Sequence, residues 1–190
     1  MAVKKTDARV RYTKLMIRNS FVALLKEKPL AKVTVTEICA NAGINRATFY
    51  AHYKDPSDLM NCLENELLEN IVDILNESIS SGEEELRRIL PIILNFMKSE
   101  ADICTVLMSD LSSGSFVNSC LELIKSRFVS HWTNHSSLTE RLADRLFTYG
   151  AMGRVGILTQ WLTEGCQETP EYMAELIIRL FNSGASSFQL

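Results

Sequence analysis

Apolar residues recur along this chain at three- and four-residue spacings, the period of helices with one buried face. From Asp7 to about Lys26 the inner face reads Leu15, Ile17, Phe21, Leu24 and Leu25, and Pro29 ends the helix; residues 1–6 read as a loose tail. Two short helices are expected between Thr34 and Tyr53. Pro56-Ser57-Asp58 then opens a long helix to about Ser80, striped by Leu59, Leu63, Leu67, Ile71 and Ile74, with a break at Ser81-Gly82. Glu83-Glu84-Glu85 forms an acidic first turn for a helix through Leu90, Ile93, Phe96 and Met97, bent at Pro91. A short helix covers Ala101 to Met108, and Ser112-Ser113-Gly114-Ser115 is a loop. Phe116, Cys120, Ile124, Phe128 and Trp132 stand four apart on the next helix. Leu138 to Glu164 forms another, ended by Gly165. Thr169-Pro170-Glu171 starts the last, with Tyr172, Met173, Leu176, Ile177, Leu180 and Phe181 as its face. No stretch reads as a strand, so the expected fold is all-α, about nine helices.

The segment 34–53 carries the chemistry. Thr34 and Glu37 have the spacing of a capping box, so a helix starts at Val35. Its apolar side is Ile38, Cys39 and Ala42, and Gly43 stands where it must stop, in a left-handed conformation that glycine adopts cheaply. Asn45 caps a second helix bearing Arg46, Thr48, Tyr50 and His52, held to the first by Phe49 and Tyr53. Two short helices about a glycine turn, the second rich in hydrogen-bonding side chains, form a DNA-binding helix-turn-helix. Arg46 suits a bidentate contact to guanine, whereas Thr48, Tyr50, His52 and Lys54 suit phosphates. Periodicity alone leaves a plain helical corner open.

The residue identities go further. Gly43-Ile44-Asn45-Arg46-Ala47-Thr48-Phe49-Tyr50-Ala51-His52-Tyr53 resembles the recognition segment of the TetR (tetracycline repressor) family of bacterial regulators. Val33-Thr34-Val35-Thr36-Glu37-Ile38 resembles that family's entry into its second helix, and the likeness extends over roughly residues 10 to 70. One position departs. The family often opens its fourth helix with a lysine, where this chain has Pro56; Lys54 is placed to substitute for it. The resemblance implies a three-helix DNA-binding head at 1–56 and a helical regulatory and dimerisation body at 57–190. The candidate DNA-contacting set is Thr34, Thr36, Asn45, Arg46, Ala47, Thr48, Tyr50, His52 and Lys54.

Charge changes the picture only once it is divided. The net charge is −3, but residues 1–56 hold eleven Lys and Arg against four Asp and Glu, a balance of +7, and the remainder carries −10. A basic head on an acidic body fits DNA binding confined to the head. The five cysteines, Cys39, Cys62, Cys104, Cys120 and Cys166, form no C-x-x-C pair and read as small buried hydrophobes in a reducing cytosol, a thiol sensor being the alternative. The chain shows no signal peptide and no apolar run near the ~20 residues of a membrane span. The expectation is a cytoplasmic protein without a membrane partner.

Other constellations are weaker. Gly150-x-x-Gly153-x-x-Gly156 lies inside a helix and is no phosphate loop, since no strand precedes it and no Gly-Lys-Ser/Thr follows. Helical glycines cost roughly 1 kcal/mol each against alanine, so close helix packing is expected there. The family's last two long helices usually build a four-helix dimer interface. The resemblance therefore places Gly150, Gly153, Ile157, Trp161, Leu176 and Leu180 at a homodimer contact. The stretch from Tyr149 through Gly165 also resembles, more distantly, the branch containing the activator of dihydroxyacetone kinase operons. Phe96, Met97, Met108, Phe116, Cys120, Phe128, Trp132 and Phe147 read equally as core or as the wall of a cavity for a small apolar or aromatic effector, which the family's bodies often hold. His131 and His135 lack further ligands beyond Glu140 across a turn, so no metal site and no cofactor are expected. No nucleophile–base or carboxylate pair stands at a useful spacing, so the chain is not expected to be an enzyme. The leading function is a DNA-binding regulator, a ligand-responsive repressor acting as a homodimer on a pseudo-palindromic operator. The alternative is a coactivator that keeps the fold but works through protein contacts.

Overall fold

Nine α-helices and one short 3₁₀ turn make up the regular structure of the described residues, and no strand occurs among them. The computed structural model describes residues 2–76, 83–109, 115–135 and 138–185. In order the helices are α1 (Ala2–Glu27), α2 (Val35–Ala42), α3 (Arg46–Tyr50), α4 (Pro56–Asn76), α5 (Glu83–Ser99), α6 (Ala101–Ser109), α7 (Ser115–His135), α8 (Glu140–Thr163) and α9 (Pro170–Ala185). The expected all-α architecture is therefore the one found. Helix α1 begins at Ala2 rather than near Asp7. Ala2, Lys4 and Lys5 are good helix formers and nothing before Pro29 breaks the run. Helix α5 runs through Pro91, whose carbonyl accepts a 3.0 Å bond from Asn95 Nδ2. The expected loop residues Ser112, Ser113 and Gly114, and the break at Ser81-Gly82, lie outside the described residues.

The chain divides into two units, Met1–Glu66 and Leu67–Leu190, so the division falls within α4 rather than at its start. The opening of α4 is bound locally to the segment before it. Asp55 Oδ1 accepts from the Asp58 amide at 2.8 Å, and Asp58 Oδ2 accepts from the Lys54 amide at 2.9 Å. Tyr53 lies close enough to Asp58, Cys62 and Glu66 to feel their charges; its hydroxyl is pushed up to about 12, first by burial and then by those three groups.

In the first unit α1 packs on α2 and α2 on α3. Ile17, Phe21, Ile38, Phe49 and Leu59 are fully buried there. The Ser20 hydroxyl, also buried, donates to the Ile38 carbonyl at 2.8 Å, fastening α1 to α2. In the second unit α5 lies against α9, while α6, α7 and α8 pack on one another. Ala143, Leu146, Phe147 and Ala151 of α8 form a core joined by Leu121, Ile124 and Val129 of α7 and by Phe181 of α9. Lys125 and Asp144 add a 2.8 Å ion pair between α7 and α8. Helix α8 ends as its glycine suggested. Gly165 has φ +83° and Cys166 follows at +52°, and their amides donate back to Leu162 and Trp161 at 3.1 and 2.8 Å.

The glycine run corrects one expectation. A Cβ on Gly150 would stand 2.8 Å from the Phe181 ring, whereas at Gly153 and Gly156 nothing among the described residues, beyond the adjoining residues and the backbone of the helix itself, lies within 4 Å of the equivalent point. Close packing within the body therefore explains Gly150 alone. Three residues advance a helix by about 300°, so each glycine turns about 60° from the last and the run walks off the buried face.

Candidate nucleic-acid interface

The backbone of the helix-turn-helix is fixed by polar side chains that the local sequence supplies. Thr34 is extended (φ −114°, ψ 150°) and its hydroxyl accepts from the Glu37 amide, while Glu37 accepts from the Thr34 amide at 3.1 Å, completing the capping box. Gly43, at φ +65° and ψ +32°, closes α2 in the left-handed region, where a side chain would be strained. The Ile44 amide donates to Cys39 at 3.0 Å. Asn45 Oδ1 accepts from the Thr48 amide at 2.8 Å and its hydroxyl at 3.0 Å, starting α3. Phe49 is the buried anchor, its ring 5.7 Å from those of Tyr50 and Tyr53.

These bonds sort the candidate residues. Thr34, Asn45 and Thr48 spend their side chains on the caps. Arg46, Ala47, Tyr50 and Lys54 are exposed, Tyr50 to 58 %. Arg46 Nη2 donates to Thr36 Oγ1 at 2.7 Å, joining an α3 side chain to one from α2. This partner is a neutral hydroxyl, so the bond leaves the guanidinium charge in place. Helix α3 ends at Tyr50, so His52 and Lys54 stand beyond it in the turn toward α4. His52 is half-buried with its ring 6.3 Å from that of Tyr53.

One lock escaped sequence reasoning. Lys28, just past α1, reaches Glu37 Oε1 at 2.5 Å. Together with Thr34 it holds the Glu37 carboxyl down at about 2, against an ordinary 4.5. A carboxylate whose titration is depressed on folding stabilises fully above its unfolded value, and that contribution fades as pH falls toward the folded one. Glu37→Gln should therefore lower the melting temperature of the first unit at pH 7, with the gap to wild type closing between about pH 4.5 and 2. Parallel thermal melts across that range check this; a gap that ignores pH would contradict the lock.

In the second unit the proposed pocket residues fall in two places. Met108, Phe116, Cys120 and Phe147 lie on the mutually packed α6, α7 and α8, while Phe96 and Met97 lie on α5. Met97, Met108, Phe116 and Phe147 are buried. The side chains of Phe128, His131, Trp132 and His135 lie outside the described residues. Of the residues assigned to a dimer contact, Gly150 and Trp161 are buried within the chain, Ile157 and Leu176 are half-buried, and Gly153 and Leu180 are exposed. Tyr149, Met152 and Tyr172 add further exposed apolar surface on α8 and α9. Arg154, 4.4 Å over the Phe181 ring, was not singled out in the sequence; burial brings its guanidinium down to about 10. Burial also raises the thiols of Cys39 and Cys166 and pushes Cys120 up to about 12, against thiolate chemistry, and Cys104 is buried. Cys62 alone of the five is exposed. No cluster of three metal-ligating side chains and no helix long and apolar enough to cross a membrane occurs among the described residues.

Comparison with known proteins agrees with this geometry. Residues 21–61 match the model for bacterial regulatory proteins of the tetR family, and residues 84–183 match that for a transcriptional regulator C-terminal region. Over 183 residues the chain is 25% identical to YxbF of Bacillus subtilis (strain 168), an uncharacterized HTH-type transcriptional regulator; the match covers 94% of this chain and 47% of that protein. The chain thus spans about half the length of this relative. Among solved structures, the transcriptional regulator FadR from Bacillus subtilis in complex with stearoyl-CoA superposes with a TM-score of 0.67 at 14% identity, over 90% of this chain and 98% of that one. The dihydroxyacetone kinase operon activator DhaS superposes with a TM-score of 0.59 at 16% identity, over 93% and 97%. At these identities the likeness is one of fold.

Proposed function

The chain belongs to the TetR family of DNA-binding transcriptional regulators, and on that premise we propose that it is a ligand-responsive repressor whose homodimer sets two heads into successive major grooves of a pseudo-palindromic operator. The observation that carries this reading is the helix-turn-helix corner, whose caps hold the backbone while Arg46, Tyr50 and Lys54 stay exposed. The exposed apolar surface of α8 and α9, from Tyr149, Met152 and Gly153 to Leu180, supports a contact with a second copy. A small apolar or aromatic effector is supported by FadR, of the same fold, which is in complex with stearoyl-CoA. Helix α4 carries the chain from one unit into the other. An effector that favours one position of α4 would change the spacing of the heads and so shift a two-state equilibrium.

Within the head, Arg46 meets a base edge and the other exposed groups meet the backbone. Phosphate contacts fix position; base contacts discriminate. Arg46→Ala should therefore cost about 1–3 kcal/mol and relax preference at one base pair per half-site. Tyr50→Phe removes a neutral hydroxyl and should weaken all sequences alike, with the salt dependence unchanged. Lys54→Ala removes a cation and should lower the salt slope by about one unit per head. Selection from a randomised duplex library, with affinities at several salt concentrations, tests this division. If Arg46→Ala weakens every sequence equally, Arg46 does not read bases.

A further inference from the structure

We propose that Thr36 is a positioning residue for sequence recognition: its hydroxyl, from the first turn of α2, aims the Arg46 guanidinium of α3, so that the two helices read one base pair through a joined pair of side chains. This rests on the reading that Arg46 meets a base edge. The 2.7 Å bond runs from Arg46 Nη2 to Thr36 Oγ1. Both ends are mounted on fixed backbone. Thr36 sits between Thr34 and Glu37, the two members of the capping box, with Glu37 pinned in turn by Lys28. Arg46 follows Asn45, whose side chain starts α3.

The chemistry of the pair suits this role. A guanidinium offers five N–H donors in a planar fork, and one is engaged by Thr36. The remaining donors include those a bidentate contact to guanine needs. Threonine is stiff about χ1 because it is branched at Cβ, so its oxygen is a better-defined acceptor than a serine's. Because that oxygen accepts from Arg46, its own hydrogen stays available to donate outward. A flexible arginine must be ordered when DNA binds; one already held loses less freedom at that step. The head is also compact about this point, since the Arg46 charge is felt at the Cys39 thiol of α2.

Full-length protein and a randomised duplex library provide the test. Thr36→Val keeps the branched shape and removes the hydroxyl. It should reduce discrimination at the base pair read by Arg46 by roughly three- to tenfold, leaving preference at other positions intact. Thr36→Ser should recover most of that discrimination. In an Arg46→Ala background, Thr36→Val should cause no further loss of discrimination, because its partner has gone. Thermal melts should be unchanged, since both residues are exposed. Equal weakening of every sequence by Thr36→Val would make Thr36 a phosphate contact and overturn the proposal. Unchanged or sharper preference would overturn it too, as would additive losses in the double variant. If those results came while Arg46→Ala still relaxed its base pair, only the positioning role would fall. If Arg46→Ala left preference intact, the base-reading assignment would fall with it.

Discussion

Phe49→Ala should unfold the recognition corner while leaving the second unit folded. Phe49 is fully buried, and its ring meets Tyr50 edge-on (interplanar angle 87°) and Tyr53 at a tilt (50°), both at 5.7 Å. Truncating such a side chain costs about 3–5 kcal/mol, part in lost transfer energy and part in the cavity left behind. A unit the size of Met1–Glu66 has a total stability of about 3–10 kcal/mol at ordinary values per residue. One substitution thus removes a third of it or more. The loss is concentrated where α3 has little else to hold it, since a helix of five residues has no stability of its own. Hydrogen exchange followed by mass spectrometry should show protection of segment 35–53 collapsing, with protection of α5 to α9 retained. DNA affinity should fall for every sequence, unlike the position-specific effect expected of Arg46→Ala. Wild-type protection of segment 35–53 in Phe49→Ala would show that the aromatic group is not the anchor.

The second large effect separates two glycines three residues apart. Gly150→Leu should destabilise the body by about 1–3 kcal/mol, because its Cβ would meet the Phe181 ring at 2.8 Å. That ring has little room to yield: Arg154 lies 4.4 Å over it, and it packs on the core of Ala143, Leu146, Phe147 and Ala151. The gain in helix propensity, about 1 kcal/mol, offsets only part of the clash. For a protein of this size the melting temperature should fall by about 2–4 °C per kcal/mol. Gly153→Leu should do the opposite within the chain, because its side chain enters open space and the helix gains propensity. Its cost should appear in assembly, as a shift from dimer to monomer in native mass. Equal melting of the two variants would refute the packing assignment for Gly150. Unchanged dimer mass in Gly153→Leu would remove that stretch of α8 from the interface.

The contrast between these glycines shows what the sequence could convey. The spacing in Gly150-x-x-Gly153-x-x-Gly156 announced a helix with exposed backbone, but not which neighbour each glycine meets. Local signals were legible because they are written within four residues: Thr34 with Glu37, Gly43 after Ala42, Asn45 before Arg46, and the stripe of Leu59, Leu63, Leu67 and Ile71. Contacts between segments left no such trace. Lys28 with Glu37, Thr36 with Arg46, and Arg154 with Phe181 join residues on different elements, and each depends on how those elements pack. The start of α1 was misjudged for a related reason. Ala2 to Thr6 carry no breaker, so the helix runs on past Thr6, a residue that could have capped a later start. Likewise the second helix was expected to carry His52, but α3 stops at Tyr50 and the chain turns into the Asp55–Asp58 bond that opens α4.

On the proposed function, a pair of these heads recognises one specific site on duplex DNA. Selection of genomic fragments by the full-length protein, followed by sequencing, tests it most directly. The predicted result is enrichment of a pseudo-palindrome whose half-sites are centred about one helical turn apart, or a multiple of one, bound at two chains or a multiple of two per site, with preference at one base pair per half-site relaxed on Arg46→Ala. Failure to enrich any sequence, with recovery instead of a stable complex with another protein, would contradict it and favour the coactivator reading.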